Sequence, residues 1–184
     1  MNKNNVTAGK PLISGAVHVA PIGTTLPTTA AATLDTAFKD LGYLSDAGVQ
    51  NDISRESTDI VAWGGTKVLN IQTSKNDIWT YTMIEAKNIE VLKQIYGDDN
   101  VTENSTTHEI TVTANAAELE PHSWVFDMIQ SDGSAKRIVI PDGKVTNVGT
   151  ISYTDGDAVG YETTLTANPD VAGNTHYEYI AAAA

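Results

Sequence analysis

The chain has 184 residues, about one domain's worth, and can bury roughly 70% of its unfolded surface without covalent staples. It contains no cysteine, which excludes disulfides, thiolate metal sites, iron–sulfur clusters and thiol nucleophiles. Lys and Arg number 11 against 23 Asp and Glu, a net charge of −12, and such a surface repels nucleic acid and anionic lipid. No apolar run approaches the ~18 residues of a membrane span, and the first residues lack the apolar segment of a signal peptide, so synthesis in a cytoplasm is expected. The 24 Thr, with Val, Ile, Tyr and Trp well represented, favour strand. Turn dipeptides recur at Asp132-Gly133, Asp142-Gly143, Asp155-Gly156 and Gly173-Asn174. Together these predict a mainly β chain, an antiparallel sandwich or barrel-like fold with one short flanking helix at about 88–96.

In chain order, residues 1–12 are polar and aperiodic and read as a flexible arm, disordered when the protein is alone. A single domain is expected over 13–180, followed by a short tail at 181–184. Ser14–Ala20 reads as a strand ended by Pro21, and Leu34–Leu41 as a site for one helical turn. Tyr43–Leu44 and Val49–Ile53 read as extended around a turn at Asp46–Gly48. Residues 51–66 form a polar excursion closed by Gly64-Gly65, and a loop that long inside a compact domain is usually functional or disordered. Leu69 and Ile71 alternate with polar neighbours, and Trp79, Tyr81 and Met83 alternate with threonines, which puts three large side chains on one face.

Ile89, Leu92 and Ile95 or Tyr96 give one apolar helical stripe, with Asn88 as N-cap and Gly97 as stop. The remainder is strand. Ile110 and Val112 alternate with threonines, and Trp124, Phe126 and Met128 oppose Val125, Asp127 and Ile129. Lys136–Ile140 runs into Pro141-Asp142-Gly143-Lys144, read as a hairpin turn with Val145–Tyr153 returning. Val159, Tyr161, Leu165 and Ala167 then face inward opposite Glu162, Thr164 and Thr166.

A search for chemistry is negative. There is no phosphate-binding loop, no G-x-S-x-G and no H-E-x-x-H. His18, His108, His122 and His176 are scattered, which favours surface or strand-end roles over a metal site. Asp98, Asp99, Asn100 and Glu103 form an acidic cluster without the spacing of a calcium loop, and a solvated turn explains it as well as an ion would. Trp63 reads equally as an anchor for a partner or as a lid over its own core. No catalytic, cofactor-binding or metal residue is assigned, and no cofactor is expected.

Six stretches in register carry a resemblance: HVAPIGTTLPT (18–28), STDIVAWGG (57–65), YGDDNVT (96–102), KRIVIPDGKV (136–145), GYETTLTA (160–167) and NTHYEY (174–179). From about Ser14 to Ile180 the chain resembles the major tail tube proteins of long, non-contractile-tailed bacteriophages, especially those of actinobacterial hosts. The resemblance implies a β-sandwich flanked by a helix, assembling without catalysis into stacked hexameric rings. It implies a virion component assembled in the host cytoplasm, in contact with copies of itself and with tape-measure, tail-tip and terminator proteins. Double-stranded DNA would pass through the bore without specific binding, and no membrane partner is expected. The acidity then suggests a bore with few unpaired cations, since a conduit must not release the counterions of DNA; solubility alone is the plainer explanation. The other reading is a non-polymerising β-sandwich binding module, a decoration or receptor-adhesion domain.

Overall fold

A computed structural model describes residues 6–12 and 15–181. The strands are β1 (Gly9–Pro11), β2 (Val17–Pro21), β3 (Lys39–Asp40), β4 (Leu44–Val61), β5 (Lys67–Met83), β6 (Val101–Glu103), β7 (Ile110–Val112), β8 (His122–Gln130), β9 (Ala135–Val148), β10 (Tyr161–Asn168) and β11 (Tyr177–Ile180), with helix α1 (Ile89–Tyr96) after β5. The fold is mainly β and antiparallel, with one short helix, and its large sheet is not closed into a barrel. That sheet has nine strands in the order β3-β2-β8-β9-β10-β5-β4, with β1 added to β8 and β11 to β9; β6 and β7 pair separately.

The two central strands each change neighbour part-way along. Residues 122–126 of β8 pair with β2, and 128–130 with β1. Residues 136–139 of β9 pair with β11, and 142–148 with β10. Between β8 and β5 lie two strands, so a flat sheet would hold them about 14 Å apart. Yet Trp79 of β5 stacks on Phe126 of β8 at a centroid distance of 5.7 Å, and Tyr81 meets Phe126 edge-on at 5.5 Å. The sheet therefore curls over its own inner face. Trp124, Phe126, Ile138, Ile140, Trp79, Tyr81 and Leu165 fill the resulting core, and α1 closes it with Val91, Leu92 and Ile95. The helix is short and depends on that packing. Asn88 caps it by accepting from the Glu90 N–H at 3.0 Å, and Gly97 ends it at φ 98°.

The reverse face of β8 and β9 is covered as well. Val125 and Val139 pack with Ala20 and Phe38 beneath residues 21–38. The guanidinium of Arg137 donates to both oxygens of Asp127, at 2.6 and 2.8 Å, and its remaining nitrogen reaches the carbonyls of Ala32 and Thr29. A covered sheet explains why six consecutive residues of β8, His122–Asp127, are buried.

Four expectations are corrected. Pro141-Asp142-Gly143-Lys144 is no hairpin turn: β9 runs straight through it to Val148. Pro141 lacks an N–H, and it sits at an irregularity opposite Ser123, where β9 exchanges β11 for β10. Gly143 is needed for space, since a Cβ there would lie 2.7 Å from Trp124 Cδ1, while the indole N–H donates to the Gly143 carbonyl at 3.1 Å. Residues 51–66 are not a loop: they complete β4 and the turn into β5. Residues 34–41 contain a turn at Asp35–Phe38 and strand β3 in place of a helical turn. Part of the predicted arm is ordered, with Gly9–Pro11 paired to β8; residues 1–5, 13–14 and 182–184 lie outside the described residues, and with them the expected start of the domain and of the first strand.

Gly143→Ala is expected to cost about 1–3 kcal/mol by overpacking against Trp124 and Leu165. A urea titration checks it: the midpoint should fall at constant slope, and an unchanged midpoint would show that the indole can yield.

Candidate assembly interface

β4 and β5 are far longer than the body needs. Ile53 pairs with Asp77, the last buried residue of β5 toward the hairpin end, and the ladder continues from Ser54↔Asn76 to Val61↔Lys67. At roughly 3.4 Å per residue this overhang projects on the order of 30 Å. Its two faces differ. On one, Asn70 donates to Asp59 at 2.6 Å and to Ser57 at 3.1 Å, while Lys67 pairs with Asp59 at 2.6 Å. The Lys67 and Asn70 contacts hold the Asp59 carboxyl below its ordinary value. On the other face Ile60 pairs with Leu69, and Ile71 stands opposite Thr58. All three apolar side chains are about half exposed, as are Val61 and Val68. At the turn Trp63 is fully exposed, followed by Gly64 and Gly65, both at positive φ. Trp63 is thus no lid over its own core.

The hairpin is anchored at its root by a buried acid. Asp77 is 1% exposed and accepts from Asn51 at 2.7 Å, from His176 Nδ1 at 2.6 Å and from the Thr175 hydroxyl. Lys75 donates to the same hydroxyl at 2.9 Å. Burial pushes the Asp77 carboxyl up, but the hydrogen bonds from Thr175, Asn51 and His176, with the imidazole's charge, outweigh it and hold it below its ordinary value. The network ties β4 and β5 to the segment before β11. A signal for it stood in the sequence: Asp77 occupies the same alternating face as Trp79, Tyr81 and Met83, where a carboxylate requires partners.

Opposite the core face, β5 and β10 present Thr80, Thr82, Thr164 and Thr166 outward with Ile78 and Glu162, paired strand to strand. Thr146 of β9 joins them, within 3.0 Å of Thr166. Lys144 on that side is paired with Glu118.

The acidic cluster does not converge. Asp98 and Asp99 lie exposed in a single turn after α1, with Asp98 3.6 Å from His122 Nε2; Glu103 in β6 contacts His108 Nδ1 at 2.9 Å. His18 and His176 lie on β2 and before β11. Among the described residues no group of three or more metal-ligating side chains forms.

A family model described as phage tail tube protein matches residues 1–184. The chain belongs to that family. No curated protein matches it. Among solved structures the chain is similar to the cap of an anti-feeding prophage, its tube terminating cap, at 9% identity and a TM-score of 0.47 over 96% of each chain. Family membership makes the protein a structural component of a virus tail. In a tail tube protein, surface apolar side chains on a rigid projection read as contacts with other subunits rather than as a defect.

Asp77→Asn is expected to lower stability by about 2–4 kcal/mol near neutral pH, since a buried hydrogen-bonded charge is lost. The folded carboxyl titrates below its unfolded value, so its contribution is complete above the ordinary carboxylate range and is lost as pH falls through the lowered value. Urea midpoints of the two proteins should therefore converge in strong acid. A gap that persists there would remove the carboxylate from the account.

Proposed function

We propose that the protein is a subunit of a phage tail tube, assembling without catalysis into stacked rings, hexameric as the resemblance implies, through which DNA is ejected into the host. Assembly takes place in the host cytoplasm, on a tail tip, around a tape measure, and ends at a terminator. One observation carries this reading beyond family membership: the β4–β5 overhang exposes Ile60, Val61, Trp63, Val68, Leu69 and Ile71 where its own body cannot cover them. Burying such a surface in a neighbour is favourable at about 25 cal/mol per Å².

The outward face of β5, β10 and the end of β9 suits the wall of the bore. It is rich in threonine, carries Glu162, and its Lys144 is neutralised by Glu118. Hydroxyls hydrate the wall, and the absence of a free cation there among the described residues leaves DNA its counterions. A tube structure with net positive charge on the bore would refute this assignment. Trp63 also favours the binding-module reading, because an exposed aromatic suits a paratope; that reading requires a protein that does not polymerise.

The test is electron microscopy of the protein at high concentration, beside a variant in which residues 54–76 are replaced by Asn-Gly. That replacement closes the Ile53↔Asp77 pair with a two-residue turn, leaves the hydrophobic core untouched and takes only Lys75 from the root network. Rods or rings are expected from the parent, and a cooperatively folded monomer from the variant. Rods from both would remove the overhang from assembly, and a parent that stays monomeric with a tail tip supplied would favour the binding module.

A further inference from the structure

A groove of about 800 Å³ lies at the end of β4 opposite the hairpin turn. Its apolar lining includes Leu12, Tyr43, Leu44, Val49 and Met128, and Asp40, Asp46, Glu85 and Asp127 line it with Lys10. Resting on the self-assembly reading above, we propose that this groove is the seat for Trp63 of a second copy of the chain. The overhang of each subunit then plugs into the base of the next.

The two ends cannot meet within one molecule. β4 runs extended from Leu44, in the groove, to Val61, beside Trp63, so the contact must join two chains. Plug and seat are different surfaces, which makes the contact heterologous, and a heterologous contact that does not close into a ring repeats along an axis. Such a contact extends a tube, whereas a self-complementary one would stop at a dimer.

The chemistry of the two ends matches. Trp63 stands free of its own chain, and Gly64 and Gly65 have no atom within 4 Å of a Cβ position, so the tip is slim enough to enter a cleft. An indole buries about 150–250 Å², and the groove offers the exposed ring of Tyr43 and the Met128 thioether. Tyr43 is itself 72% exposed at the rim. The charges are complementary too. Residues 54–76 carry Arg55, Lys67 and Lys75 against Glu56 and Asp59, a net positive overhang in a chain of net −12. Lys67 stands just beyond the turn, while four carboxylates line the seat with one lysine, and only Asp127 among them is already paired, with Arg137. Opposite potentials set register and exclude wrong pairings.

The absence of cysteine makes the contact directly testable. Ala62→Cys beside Trp63 and Ser45→Cys on the groove, combined in one chain and treated with a short bis-maleimide under assembly conditions, should give a ladder of dimers, trimers and higher multimers. Each single variant should give none. Adding Trp63→Ala should abolish the ladder and raise the concentration needed for assembly by at least about tenfold. Rods in the microscope without a ladder, with the Ser45→Cys thiol still freely reactive, would overturn the seat while leaving self-assembly standing. Cross-linked dimers from Ala62→Cys alone would overturn it in favour of tip-to-tip contact. Monomers without rods or ladder would overturn both the seat and the assembly on which it rests.

Discussion

The hand-over of partners along β8 and β9 is the constraint on which the rest of the structure depends. Paired with each other along one edge, each is longer than either strand on its other edge, and that edge is shared between two pairing segments. A sheet built in this way must bend at the junction, because the two segments on one edge cannot continue in a single plane with the right-handed twist of their neighbours. Pro141 suits that junction by lacking a donor, and Gly143 suits it by letting Trp124 lie against the backbone. The bend brings β5 over β8, and the Trp79–Phe126 stack is its direct product. With the core closed at that stack, β4 and β5 are left at the sheet's margin, free to run on beyond it.

That freedom separates two kinds of surface along the same pair of strands. Inside the body, every second residue of β5 is buried, from Asp77 to Met83. Beyond Asp77 the alternation continues with no core beneath it, so the pattern that elsewhere drives folding leaves apolar side chains in water. Their burial is deferred from folding to association. A hairpin of this length also needs a rigid base, and the buried hydrogen bonds of Asp77 with Asn51, Thr175 and His176 supply one by fixing both strands to the chain's last segment. Directional polar contacts at the root and non-directional apolar ones near the tip divide the work between aiming the projection and attaching it.

The Arg137–Asp127 pair has a comparable role on the other face. Residues 21–38 carry little regular structure, and the guanidinium holds them through the carbonyls of Thr29 and Ala32 while meeting Asp127 through two parallel hydrogen bonds. The segment can then cover Val125 and Val139 without strands of its own.

Much of this was legible in the residues themselves. Period-two alternation located the cores of β5, β8 and β10, and the cap and stop of α1 followed from Asn88 and Gly97, because these signals are local and the backbone answers to them directly. Six blocks in register sufficed for the family. The sequence misled where one local pattern fits two tertiary outcomes. Pro-Asp-Gly-Lys is good turn chemistry, yet here it marks an irregularity within a strand, since neighbours on both sides supply the pairing that a turn would have broken. Residues 51–61 are polar enough for a loop and became strand because β5 lies opposite them for their whole length. The groove, the convergence of Asp77 with Thr175 and His176, and the placing of Trp63 at the far end of β4 join residues distant in sequence. Composition and periodicity carry no record of such long-range contacts; only the curl of the sheet decides them.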